Sequence, residues 1–258
     1  MRVHDRTGKS ALDNDSSEFS QPPPSSTAIL PPPFSPPRLV TIPAEDVAKV
    51  EAGLLPLVPS CELPWLVAVL RSPAAAIFSV CSASVRRLGE LRYGEDEACA
   101  LGAYRAVCLA ARRFPESRTL VEGACRVLRH NATFGPPETS GARRDAMLHA
   151  GAGAALSEAL RTHGEVSKAV ASAACGAVQS LAMGDEARKD ELAGRADLVR
   201  VLVAATRAHP GLLSARSALV NIVMGADEER SEARRRIVVG LGGAEALRAP
   251  PGKDSPKR

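Results

Sequence analysis

Aromatic residues are scarce in this chain. They make up 3% of its 258 residues, with one tryptophan, two tyrosines and five phenylalanines. A β-sandwich builds its faces largely from β-branched and aromatic side chains, so this scarcity argues against an all-β core. No run of about 18 apolar residues occurs, so no membrane-spanning helix is expected. The N-terminus is polar, with Asp5, Asp13, Asp15 and Glu18, and lacks the apolar core of a secretory signal. The six cysteines, Cys61, Cys81, Cys99, Cys108, Cys125 and Cys175, form no C-x-x-C pair, so the usual zinc spacing is missing. Most lie in apolar helical runs, where cysteine behaves as a small hydrophobe. The expectation is structural thiols in a reducing compartment, cytoplasmic or nuclear, with no metal and no cofactor. The sequon Asn131-Ala132-Thr133 carries little weight without a route to the glycosylation machinery.

Charge of one sign is not concentrated either. The net charge is +4 with 24% charged residues. A dedicated nucleic-acid binder gathers Lys and Arg into a stripe. Here bases alternate with acids, apart from Arg234-Arg235-Arg236 and a short basic C-terminus, and a solvated helix face is the plainer reading. Nucleotide motifs are incomplete. RTGKS at 6–10 lacks the first glycine of a phosphate loop, and GAG at 151–153 and GLGG at 240–243 follow no strand. The histidines His4, His130, His149, His163 and His209 have no metal spacing, and no nucleophile motif accompanies them. No catalytic residue is assigned, and the chain is expected not to be an enzyme.

What the sequence does contain is alanine, leucine and valine in helical period, good material for close-packed helices. Residues 1–43 are Pro- and Ser-rich and are expected to be a disordered arm. Within it, PPPFSPPR at 31–38 sets Pro33, Pro36 and Arg38 at the spacing that suits a polyproline-binding domain, although such matches are common in plain linkers. Ser35 and Ser255 each precede a proline and are candidate phosphorylation sites.

From residue 44 to 249 the chain is expected to be one helical repeat domain, followed by a disordered basic tail at 250–258. Gly53, Gly94, Gly135, Gly184 and Gly225 punctuate it at intervals of 41, 41, 49 and 41, and the long interval holds an insert-like PPETSGAR at 136–143. A fixed period near 40 residues marks a helical repeat array. The units run about 53–94, 95–135, 136–184 and 185–225, with a partial one at 226–249. Glycine is expected to end each unit in the left-handed conformation, and acidic residues after Gly94, Gly184 and Gly225 to start the next helix. RRFP at 112–115, RTHG at 161–164 and RAHP at 207–210 mark a turn between a middle and a last helix. GAVQSLAMG at 176–184 and SALVNIVMG at 217–225 are near-twins. Ala174, Val178 and Leu181 in one match Ala215, Leu219 and Ile222 in the other, one buried stripe written twice.

ACGAVQSLA at 174–182 and ALVNIV at 218–223 resemble the last helix of an armadillo repeat, and GAYRAVCLAARRFPES at 102–117 is similar to its middle helix and turn. The resemblance covers roughly residues 95–247. It implies an all-α, right-handed superhelix whose last helices line a concave groove that holds a protein or peptide segment. The family's Trp positions fall on Arg126, Gly176 and Ser217, and its Asn positions on His130, Ser180 and Asn221; only Asn221 keeps the family residue. The resemblance therefore implies a non-catalytic scaffold with a polar, weakly basic groove. It speaks against a nuclear transport adaptor, which needs a Trp-Asn ladder. The broken final unit leaves two further expectations: self-association at the C-terminal end, or a part of a larger multidomain protein.

Overall fold

The computed structural model, which describes residues 63–76, 78–90, 102–134 and 137–248, turns the repeat of the sequence into a repeat of helices. Among the described residues every regular element is a helix. In chain order these are α1 (Leu63–Arg71), a 3-10 turn (Pro73–Ala76), α2 (Phe78–Glu90), α3 (Ala103–Arg113) and α4 (Arg118–Thr133). Then follow α5 (Ser140–His149), α6 (Ala152–His163), α7 (Lys168–Leu181), α8 (Glu186–Gly194) and α9 (Ala196–Ala208). The last are α10 (Leu213–Val223), α11 (Glu228–Gly240) and α12 (Ala244–Leu247). The arm with Pro33, Pro36, Arg38 and Ser35, the tail with Ser255, and Gly53, Gly94, Gly135, Cys61 and Cys99 lie outside the described residues.

Short polar side chains start the helices. Ser117 and Ser167 accept hydrogen bonds from the Leu120 and Val170 backbone N–H groups at the heads of α4 and α7. Asp185 and Asp227 do the same for Arg188 and Arg230 at 3.0 Å, heading α8 and α11. Each side chain satisfies a helical donor that would otherwise lack a partner. The acids that follow Gly184 and Gly225 in sequence are therefore caps.

Two details depart from the sequence reading. Gly184 is left-handed, with φ 88°, but Gly225 is not. The chain leaves α10 extended at Met224, and Gly225 is there for space. A Cβ at Gly225 would overlap the Glu186 carboxylate and stand 2.6 Å from Arg234 Nη2. Further left-handed glycines, Gly102 and Gly151, sit instead where the chain enters the middle helices α3 and α6. The insert at 136–143 also proves to be partly helix, because Ser140 to Arg143 form the first turn of α5.

Packing follows two rows. α1, α3, α6 and α9 pack in succession, and so do α2, α4, α7 and α10. Each last helix also lies against the middle helix of its own unit, as α3 on α4, α6 on α7 and α9 on α10. The twice-written stripe is the seam: Ala174, Val178, Leu181, Ala215, Leu219 and Ile222 are all 0% exposed. One cluster of buried apolar residues runs from Leu63 to Ala246. Cys81, Cys108, Cys125 and Cys175 are free thiols inside it. Burial pushes Cys81 up to about 11 and Cys108 and Cys175 up to about 12, and raises Cys125 as well, so all four stay protonated and inert.

Polar bonds tie the units in register. His163 Nε2 meets the Pro115 carbonyl at 2.7 Å and His209 Nε2 meets the Gly164 carbonyl at 2.9 Å. Each turn thus reaches back to the turn before it. Phe114 holds the same turn position one unit earlier and packs edge-on against Phe78, ring centroids 5.5 Å apart. Ser157 Oγ donates to Asp197 Oδ2 at 2.8 Å between α6 and α9.

Candidate interaction face

The positions suggested by the family pattern lie on three successive helices of the second row, but they do not all offer a surface. On α4, Arg126 and His130 are exposed. Arg126 pairs with Glu122 of its own helix at 2.6 Å, and His130 lies against the Phe134 ring at 4.8 Å. On α7, Gly176 and Ser180 are buried. Ser180 Oγ donates to the Gly176 carbonyl and shares a 2.7 Å hydrogen bond with Thr133 Oγ1 of α4. On α10, Ser217 and Asn221 are half-buried. Asn221 Nδ2 donates to the Gln179 carbonyl at 3.1 Å. Ser180 and Asn221 are thereby brought to adjoining helix seams, where they hold helix to helix.

Arg129 escaped the sequence reading. It is exposed on α4, yet its side chain lies across α7. A Cβ at Gly176 would stand 2.7 Å from Arg129 Nε, so the missing side chain of Gly176 provides the seat. The three helices α4, α7 and α10 carry Arg118, Arg126, Arg129, His130, Lys168 and Arg216 against one acid, Glu122. Basic side chains thus outnumber acidic ones on these three helices.

A second set of residues missed in sequence lies underneath. Arg143, Arg188 and Arg234 are each buried, and each stands six residues before the end of its helix, α5, α8 and α11. Each caps the last helix of the preceding unit. Arg143 donates to the Asn131 and Phe134 carbonyls at 2.6 and 2.8 Å, and Arg188 to the Met183 carbonyl at 3.0 Å. Arg234 donates to the Val223 carbonyl at 3.3 Å. A helix C-terminus carries unpaired carbonyls and partial negative charge, which makes it the natural seat for a guanidinium. The neighbouring Arg144 donates to the Ala132 carbonyl at 2.9 Å. Burial, with Arg188 and Arg143 beside it, lowers its pKa. Arg234 adds two ion pairs to α8, with Glu186 and Asp190, both at 2.6 Å.

Glu186 is the titratable group of this network. Lys189 first, and Arg234 after it, hold its carboxyl at about 2, against an ordinary 4.5, while burial opposes them. A depressed carboxyl contributes stability that is complete above its unfolded value and is lost as pH falls through its folded value. Part of the acid sensitivity of the fold should therefore lie between about 4.5 and about 2. Melting curves across that range should flatten in Glu186→Gln relative to wild type. An unchanged slope would show that Glu186 contributes nothing to it.

Asn131 of the sequon is 4% exposed and donates from Nδ2 to the Val127 carbonyl, so it presents no acceptor for a glycan. Among the described residues no group of three His, Cys, Asp or Glu side chains could hold a metal, and no helix is long and apolar enough to cross a membrane. At the C-terminal end, where self-association is expected, a shallow groove of about 320 Å³ is lined by Val220, Val223, Met224, Val239 and Leu247, with Met224 and Val239 exposed. Comparison of the chain with protein-family models, curated proteins and solved structures gives no match.

Proposed function

We propose that this chain is a non-catalytic interaction module, an armadillo-like right-handed solenoid that holds a segment of another protein along the face of α4, α7 and α10. The observation that carries this reading is the repeated helix trio with its row of last helices packed in succession. Such arrays leave an extended side surface that a partner segment can follow, while the core is consumed by stacking. The basic character of α4, α7 and α10 favours a partner with neutral or acidic side chains over the basic signal peptide of a nuclear transport adaptor. The exposed Arg126, Arg129 and His130 are the contact residues in this proposal. Ser180 and Asn221 keep the register of the row.

The test is affinity capture from native lysate with the full chain, comparing wild type with an Arg126→Glu/Arg129→Glu/His130→Ala variant of equal helicity by circular dichroism. Specific partners should fall at least tenfold in the variant, the equivalent of about 1.4 kcal/mol. Equal capture by both proteins would remove the row from consideration.

A further inference from the structure

A cleft lies on the other row. It has a volume of about 870 Å³ and opens between α1, the 3-10 turn and α3. Four arginines line it: Arg71, Arg105, Arg112 and Arg113. All four are exposed. Elsewhere several arginines of this fold are paired with acids, as in Arg126–Glu122, Arg195–Glu191, Arg230–Asp190 and Arg235–Glu232. None of the four cleft arginines has an acidic partner among the described residues. Unpaired like charges around one concavity raise its potential and favour an anionic occupant.

The floor is apolar, with Leu70, Ala75, Ala106 and Ala110. Leu109 stands between the arginines of α3 and is 50% exposed. Arg105, Leu109 and Arg112 follow one another on one side of α3 at helical spacing. At 1.5 Å per residue the two arginines are separated by about 10 Å along the axis. That span matches about three residues of an extended chain or two turns of a helix. An occupant that satisfies this surface needs carboxylates at two or more points and an apolar side chain between them.

We propose that the α1–α3 cleft binds an acidic segment of a partner protein, one in which glutamates or aspartates flank a leucine-like anchor. Its carboxylates pair with Arg71, Arg105 and Arg112, and its anchor covers Leu109. Guanidinium groups take carboxylates in forked, two-point geometry, which gives direction as well as attraction. A nucleic acid fits less well. Among the described residues no aromatic side chain on which a base could stack lines the cleft, and an exposed leucine offers nothing to a phosphate. The site is separate from the α4–α7–α10 row and does not rest on it.

The experiment is fluorescence anisotropy on the full chain with a short labelled peptide of leucines alternating with pairs of glutamates. The same peptide with glutamine for glutamate and a single-stranded oligonucleotide serve as comparison probes. The glutamate peptide should bind, weaken with added salt, and lose at least tenfold in affinity with Arg105→Glu/Arg112→Glu. It should be unchanged in Arg200→Glu/Arg236→Glu, which reverses two exposed charges outside both the cleft and the α4–α7–α10 row. Circular dichroism checks each variant, and Arg105→Gln/Arg112→Gln replaces the charge reversal if helicity falls. Three results would each overturn the proposal: equal binding of the glutamine peptide, equal binding by the cleft variants, or tighter binding of the oligonucleotide.

Discussion

Arg234→Ala is expected to lower the stability of this protein by about 3 kcal/mol, the cost of removing one partner from a buried ionic network. The guanidinium is 2% exposed and is the largest fully buried side chain described. It donates to Glu186, Asp190, Ser231 and the Val223 carbonyl. Alanine takes one cation from each of two carboxylates, leaving Glu186 with Lys189 and Asp190 with Arg230, and leaves the end of α10 without its cap. The partners are not fully dry: the side chains of Glu186 and Asp190 are 20% and 36% exposed. Water recovers part of the loss, which keeps the figure at the low end of the 3–5 kcal/mol seen for deeply buried pairs. Arg234→Lys should recover less than half, because one ammonium cannot reach two carboxylates and a carbonyl in the planar fork that arginine provides. Gly225→Ala should damage the same network from the other side, since its Cβ would occupy the space of the Glu186–Arg234 contact. The two losses should then sum to more than the double variant shows, as residues of one network couple. Urea unfolding followed by circular dichroism measures all of these. A loss below about 1 kcal/mol for Arg234→Ala would mean that the network is as weak as a surface ion pair.

This network also shows where sequence reading stops. The stripe of Ala174, Val178 and Leu181 with its twin was legible because apolar residues at helical spacing have one physical use, and all six are buried. The turn histidines His163 and His209 were legible as equivalent positions, and the structure gives both the same bond. Arg188 and Arg234 were not. They stand among DEARKDELAG and EERSEARRRIVVG, where charges of both signs look like a solvated face, and no local pattern separates the one arginine that turns inward. The carbonyls they cap belong to another helix, so the signal is not local. Gly225 looked equivalent to Gly184 because both follow a Met in near-twin helices. One needs its φ and the other needs the room. The exposure of the proposed contact positions was half legible. Repeat phase put Arg126 and His130 on the exposed side of α4, but the same phase put Gly176 and Ser180 of α7 in a seam, where Arg129 lies over the glycine and Thr133 bonds the serine. Arg129 could have been found only from the glycine it crosses.

The same position of α7 sets the second large expectation. Leu181→Ala should cost about 3–4 kcal/mol, within the range for deleting a fully buried leucine side chain. Leu181 is 0% exposed and closes α7, which packs against α4, α6 and α10 at once. Helices held on three sides cannot move in to fill a void, so most of the cavity cost remains. In a stacked array each unit draws its stability from the interfaces with its neighbours. A cavity in the middle unit weakens two such interfaces, whereas Ile222→Ala on α10 has α7 on one side and the shorter α11 and α12 on the other. Leu181→Ala should therefore be the more damaging of the two, and it should broaden the urea transition as the units before and after α7 uncouple. Val239→Ala, at a site 45% exposed on α11, is the control and should stay within about 0.5 kcal/mol of wild type. If Leu181→Ala and Ile222→Ala prove equal and both transitions stay sharp, the chain unfolds as one cooperative body. The stacking of units would then describe its geometry but not its energetics.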